Sequence, residues 1–505
     1  MTIATLRALH AAIGTALDDI ERVYSAQALD FPSLDAAFYA TAPHTPEEDG
    51  AEALRGDPEV DRATKHIVAA CGQMSALVHK PWFGLMADAQ AGQLAAAIRF
   101  METANVVEIL KEAGPEGMHV KDIYDAILDL LPKNVEPKHP NGLNPVGLSH
   151  ILRLLATAHY LREVKPDVFT NNRRSSYIDS GKTVAQLRDA PHTKYTDTDG
   201  VAAFVALWHV PRVFCFGRTS PDAPAPDSDN LEVAHSWAPF NLAFETKLGY
   251  FPWLELPENK DRLNRFGHAM TGTRQWDVQG GILRGFSWDE LPEGAVLVDV
   301  GGGIGAQSIQ VAEAHPHVRV LVEDRIQVTS AAVSAWGPDK APLFESGRMA
   351  YRARDFLAPF APPLEGAAAP AVFLLRLVLH DWQDQEAVKI LRHLREAAGP
   401  DTKLLVGDML LPYACHAPGS QSGEDDALFS VSKPFVDADS PLLPNLGRAS
   451  IPGYLIDIMM MGMFDAREKA VGEMAALLLS AGWKVAEVRR STPGALWAYT
   501  TAVPV

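Results

Sequence analysis

A chain of 505 residues, 47% apolar and 21% charged, has the composition of a globular protein of several domains and the length to bury a sizeable core. Its 63 acidic residues outnumber 45 basic ones, and a net charge of -18 without a long basic run argues against a nucleic-acid partner. Three scattered cysteines, Cys71, Cys215 and Cys415, form neither a disulfide framework nor a metal-ligand set, and no stretch reaches the roughly 18 apolar residues of a membrane span. With no secretory signal at the N-terminus, a reducing, cytoplasmic setting is expected.

The chain opens on an amphipathic helix. Leu6, Leu9, Ile13, Leu17 and Ile20 share one stripe, with Asp18, Asp19 and Glu21 beside it. Residues up to about 75 read as helical, interrupted by a polar stretch at 41–58 that has no apolar period. A second region begins near Met74. There Leu94, Ile98, Met101, Val106, Ile109 and Leu110 recur at near-helical spacing until Gly114-Pro115 stops the helix. A short helix at 120–131, a Pro-rich loop and a helix at 144–159 follow. Two short strands, 160–164 and 167–170, then join across Lys165-Pro166. Three helices followed by a hairpin is the plan of a winged helix, which serves either as a packing module or as a DNA reader. The acidic charge favours packing.

Residues 219–230 read as an exposed loop, and 231–286 as helical segments dense in aromatics, among them Trp237, Phe240, Tyr250, Trp253 and Trp276. Such residues form core or wall an apolar pocket. From residue 295 onward, short apolar runs alternate with helices, the mark of an α/β domain with a mostly parallel sheet. Strands are predicted at 296–300, 318–322, 371–375 and 404–407, with a final pair near 483–489 and 495–501. Residues 412–452, acidic and rich in Pro and Ser, read as an insertion loop.

The sharpest local signal is Val298-Asp299-Val300-Gly301-Gly302-Gly303-Ile304-Gly305, a β-branched strand running into a glycine turn that opens a helix. Asp324 lies 19 residues beyond Gly305, at the end of the next strand, where a carboxylate accepts the hydroxyls of a cofactor ribose. Gly301, Gly303 and Ala306 also satisfy the G-x-G-x-x-G/A pattern of dinucleotide enzymes. An NAD-dependent oxidoreductase therefore stays open at this point, as does a non-catalytic winged-helix regulatory protein.

Further along, Leu374-Leu375-Arg376-Leu377-Val378-Leu379-His380-Asp381-Trp382, followed by Asp384, Gln385 and Glu386, resembles the strand-to-helix signature of the S-adenosylmethionine-dependent small-molecule O-methyltransferases of plants and fungi. The resemblance runs from about residue 74 to 505 and is strongest over 296–483. It implies an α/β fold with a C-terminal Rossmann-like catalytic domain and an N-terminal, mainly helical, winged-helix-like dimerisation domain. The corresponding division is a helical extension at 1–73, the dimerisation domain at 74–230, and the acceptor-pocket helices with the catalytic domain at 231–505. Residues 1–73 exceed the family core.

The resemblance also implies the chemistry: methyl transfer from S-adenosyl-L-methionine to a hydroxyl of a small, aromatic acceptor, leaving S-adenosyl-L-homocysteine. Alignment of two reactants is worth about 7–11 kcal/mol in favourable model reactions. A phenol, with a pKa near about 10, needs a base at neutral pH, and an imidazole with a pKa of about 6.5 suits that task. His380 takes the role of base by this likeness. Asp408 stands where relatives usually have Glu, and Glu468, in Ala466-Arg467-Glu468-Lys469-Ala470, matches the Glu of a run that normally reads Lys-Glu-Arg-Thr; both are candidate partners of the base. Asp299, Gly301, Gly303, Gly305, Asp324, Asp355, Phe356 and Arg376 fall at cofactor positions. Asp381, the helix bearing Met460 and Phe464, Met270 and Trp276 fall at acceptor positions. No metal is required, and a homodimer is expected, with neither nucleic acid nor membrane as a partner.

Overall fold

The computed structural model describes residues 3–89, 91–130, 144–207, 239–273, 277–332, 336, 340–359, 369–414, 435–437 and 439–505. Ten strands are described: β1 (Met118–His119), β2 (Leu161–Lys165), β3 (Val168–Asn171), β4 (Ala295–Val300), β5 (Val318–Asp324), β6 (Met349–Ala353), β7 (Val372–Arg376), β8 (Lys403–Met409), β9 (Trp483–Arg490) and β10 (Trp497–Pro504).

The last seven form one sheet in the order β6-β5-β4-β7-β8-β10-β9. β4 to β8 pair in parallel, while β10 runs antiparallel to both β8 and β9. The apolar runs of the sequence are continuous because both faces of this sheet are covered. Successive residues go to opposite sides. Val372 and Leu374 join a core with the aromatic helices and the Ile451–Phe464 helix, whereas Phe373 and Leu375 pack with the helices Asp384–Ala397 and Val471–Ser480. Each such buried side chain stabilises the fold by roughly 1.5–3 kcal/mol. From β4 the chain winds outward to β5 and β6, then returns to place β7 on the other side of β4. That reversal makes the β4/β7 edge the crevice where open α/β sheets bind ligands.

Ahead of it, β1, β3 and β2 form a small antiparallel sheet against the helices Val106–Ala113, Val120–Leu130 and Pro145–Thr157. The predicted hairpin is β2–β3, and β1 is an addition that sequence did not suggest. Its predecessor helix is two, Ala91–Thr103 and Val106–Ala113, because Asn105 adopts a left-handed φ of 56° and breaks the run that periodicity joined. The polar stretch at 41–58 also holds a helix, Pro46–Ala53, nucleated by a capping box between Thr45 and Glu48.

The helices Ile3–Ser25 and Pro58–Val78 pair through Ala16, Ile20, Tyr24, Val60 and Ala63. Leu9, Ala69 and Ala70 then pack on Leu442 and Leu446, and Gln73 Nε2 donates to the Pro441 carbonyl at 2.8 Å. Part of the predicted insertion is thus docked on the N-terminal helices; its residues 415–434 lie outside the described ones. Among the described residues no helix is long and apolar enough to cross a membrane, and no group of three His, Cys, Asp or Glu residues is placed to hold a metal.

Candidate active site

β4 ends at Val300 and the chain turns through the glycines into the helix Ala306–Ala314, with Gly305 as its left-handed N-cap. Gly301 sits at φ 70° and Gly303 at φ 60°, a region that side-chain-bearing residues rarely enter. A Cβ on Gly301 would lie 2.9 Å from Val378 Cγ2, whereas one on Gly303 would meet open space. The Gly303 amide donates to Asp324 Oδ2 at 2.8 Å and the Arg325 amide to Oδ1 at 2.7 Å, so the carboxylate ending β5 is aimed at the turn. Burial raises its pKa. The turn is also held from outside, because Trp336 Nε1 and Tyr351 Oη each donate to the Ile304 carbonyl at 2.8 Å.

Asp299 lies buried beneath the turn and accepts from Ser308 Oγ. Burial pushes it up to about 6, against the pull of Ser308 and Arg376. Arg376, closing β7, lays its guanidinium 4.6 Å from the centre of the Trp497 ring, so it is not a charge on the surface. Its Nε and Nη2 are buried and have no hydrogen-bond partner among the described residues. Phe356 lies beside Gly301 and packs edge-on against Trp382, ring centres 5.5 Å apart. Asp355 next to it is exposed, its Oδ1 accepting from the Leu357 amide at 2.9 Å.

After β7 the chain makes a sharp turn. Leu377 takes φ 54°, unusual for a branched side chain, and its amide donates to Asp408 Oδ1 at 3.0 Å. This turn delivers His380 into a single 3-10 turn, Leu379–Asp381, where the imidazole is buried. Its Nδ1 lies 2.7 Å from Glu468 Oε1, and since an ionised carboxylate only accepts, Nδ1 is the donor. Its Nε2 lies 3.5 Å from Asp381 Oδ1. Glu468 is buried too, and its amide donates to Asp457 Oδ1 at 2.9 Å, which anchors the pair to the Ile451–Phe464 helix. Burial works against an imidazolium here, but the carboxylates of Glu468 and Asp381 outweigh it and hold His380 up at about 10.

Asp408 makes no hydrogen bond with His380; the shorter side chain braces Leu377 instead, and its Oδ2 is buried without a partner among the described residues. Burial pushes Asp408 up to about 7 and Asp381 up to about 6.

Phe464 meets Tyr250 edge-on with ring centres 5.5 Å apart and lies tilted against Phe251 at 5.4 Å, and Met460 is buried in the same core. Burial and the Asp381 carboxylate both raise the Tyr250 phenol. Met270 packs with Ala203, Leu207 and Ala269, where the Lys260–Gly272 helix meets the Val201–Leu207 helix, and not in the core that holds Met460 and Phe464. Trp276 is outside the described residues. Sequence reasoning passed over Lys469 and Leu377. Lys469 was visible only as a flank of Glu468, and nothing in a sequence marks a leucine with positive φ.

Comparison with known proteins places the chain in a family. Residues 238–431 match the model of an O-methyltransferase domain. An O-methyltransferase of Armillaria gallica is 36% identical, over 99% of this chain and 100% of its own length. The 4-O-methyltransferase 1 of Phanerochaete chrysosporium is 35% identical, over 95% of this chain and 94% of its own. Among solved structures, LepI in complex with SAM superposes with a TM-score of 0.61 at 16% identity, covering 91% of this chain and 99% of that one. The mitomycin 7-O-methyltransferase gives 0.55 at 20%, covering 84% and 97%. These two likenesses are of fold. With relatives this similar along nearly its whole length, the chain belongs to the S-adenosylmethionine-dependent O-methyltransferase family.

Proposed function

We propose that this protein methylates a hydroxyl of a small phenolic acceptor, with His380 as the general base. The observation that carries the reading is the buried His380–Glu468 pair, which engages Nδ1 and leaves Nε2 beside Asp381 at the carboxyl ends of the parallel strands. When bound, the cofactor supplies a methyl group already activated on a positively charged sulfur, and that charge disfavours the imidazolium. The open space at Gly303 beside the Asp324 carboxylate fits a ribose. Asp355 and Phe356 would flank the adenine, and Arg376, with two buried donors that have no partner among the described residues, would face the amino-acid end.

His380 Nε2 would take the hydroxyl proton as the oxygen bonds to the methyl carbon and the carbon–sulfur bond breaks, its electron pair leaving with the neutral thioether, and Glu468 would stabilise the imidazolium that results. Asp381 orients the hydroxyl. The Tyr250, Phe251 and Phe464 rings and Met460 suit a flat aromatic acceptor. Asp408 acts through Leu377, holding the strained turn that sets the height of His380.

We assign the helical region at 74–230 to dimerisation. The Pro81–Ala89 helix buries none of its residues, and Trp82 (70% exposed) and Leu85 (68%) present an apolar face that a second copy would cover.

The test is to supply methyl-labelled S-adenosylmethionine with vanillic acid, guaiacol and a flavonol, each beside its fully O-methylated counterpart. Label should enter the free phenols alone. A protein that binds the cofactor yet labels none of them, while labelling an amine or an aliphatic alcohol, would overturn the phenolic reading.

A further inference from the structure

One buried charge is not used by the chemistry above. Lys469 is 2% exposed, far from the usual place of a lysine, and an uncompensated ammonium is costly to bury. Its Nζ donates to the Leu379 carbonyl at 3.4 Å and to the Arg467 carbonyl at 3.3 Å, and lies 3.8 Å from Asp384 Oδ1. Those two carbonyls belong to the residues immediately before His380 and Glu468. The backbone of Lys469 is committed as well: its carbonyl accepts from the Leu411 amide at 3.0 Å, beside the end of the strand that carries Asp408. Three segments remote in sequence, at 379–381, 408–411 and 467–469, therefore meet on one residue.

We propose that Lys469 is a positioning residue, its ammonium tying together the backbone carbonyls that precede His380 and Glu468 and so setting the distance between base and partner. This rests on the reading of His380 as base. The ammonium faces carbonyls rather than the reacting atoms, so its effect passes through the pair. Compensation for its burial comes from the two carbonyl dipoles and from the carboxylates of Asp384, Asp408 and Glu468. Burial lowers the pKa of Lys469, and those carboxylates oppose the shift. Methionine fills the volume but supplies no donor. Arginine keeps the charge, and its planar fork reaches two acceptors at once.

The test compares Lys469→Met and Lys469→Arg with the wild type by three measurements: the far-downfield proton resonance of His380 Nδ1–H, assigned by its loss in His380→Ala; kcat and KM for a labelled phenol; and cofactor affinity by calorimetry. The expected result for Lys469→Met is loss of the resonance and a kcat lower by about 100-fold, the effect of an ångström-scale misplacement, with cofactor affinity unchanged. Lys469→Arg should restore both. Where Lys469→Met does not fold, Lys469→Gln, which keeps a donor toward one carbonyl, replaces it with a partial loss expected. A resonance and kcat that survive removal of the ammonium would overturn the proposal. So would a loss of kcat that follows lost cofactor binding and melting temperature without rescue by arginine. If His380→Ala still methylates at the wild-type rate, the base reading falls, while the resonance still reports whether Lys469 holds the pair.

Discussion

A histidine and a glutamate buried 2.7 Å apart have consequences that bulk pH can read. Held up at about 10 against an ordinary imidazole value of about 6.5, His380 binds its proton more tightly in the folded chain than in the unfolded one. The stabilisation from this is complete below about 6.5 and is lost as the pH rises through about 10. A base must first be free of its proton, so kcat/KM should climb with pH well above the ordinary imidazole range. Glu468→Gln, which removes the anion and keeps the shape, should move that limb to lower pH and reduce the rate, by up to ~10⁴-fold in the limit set by comparable triads. A pH–rate profile measures both, and a limb that stays in place would count against the pairing. His380, Asp381 and Glu468 were legible in sequence because their identity lies in short contiguous runs. The bracing of Leu377 by Asp408 was not, since it depends on a backbone torsion and on two strands lying side by side.

At the scale of elements, the glycine turn carries the clearest expectation. A Cβ on Gly303 would meet nothing within 4 Å, so a side chain there is expected to cost the fold little room and to fill the space proposed for the cofactor. Gly303→Val should fold with a penalty of about 1–2 kcal/mol from its positive φ, read by thermal melting. It should also lose at least about tenfold in S-adenosylmethionine affinity, or about 1.4 kcal/mol, by calorimetry. Unchanged affinity would mean that the cofactor approaches elsewhere. Most of the sheet was legible, because strands covered on both faces leave unbroken apolar runs. β6 escaped notice: Met349-Ala350-Tyr351-Arg352-Ala353 is short, largely exposed or half-buried, and at the edge of the sheet, where only β5 pairs with it. The two halves split at Asn105 were merged because apolar spacing carries across a single left-handed residue.

For the whole molecule, the N-terminal helices and the segment before the Ile451–Phe464 helix were each visible in sequence, but their contact was not. It joins Leu9, Ala69 and Ala70 to Leu442 and Leu446 across most of the chain, and no local pattern announces such a pairing. The exposed apolar helix Pro81–Ala89 gives the expectation of a dimer. Sedimentation at micromolar concentration should return twice the mass of the chain, and the double variant Trp82→Glu, Leu85→Glu should shift it toward the monomer. A monomeric wild type would contradict the assignment. The proposed base at His380 is tested most directly by single-turnover methyl transfer to a labelled phenol by wild type and His380→Ala, each saturated with S-adenosylmethionine. A base in this position is worth about 10²–10⁴-fold, so the variant should bind the cofactor as the wild type does and transfer its methyl group slower by that factor. Equal rates in the two proteins would contradict a base at His380.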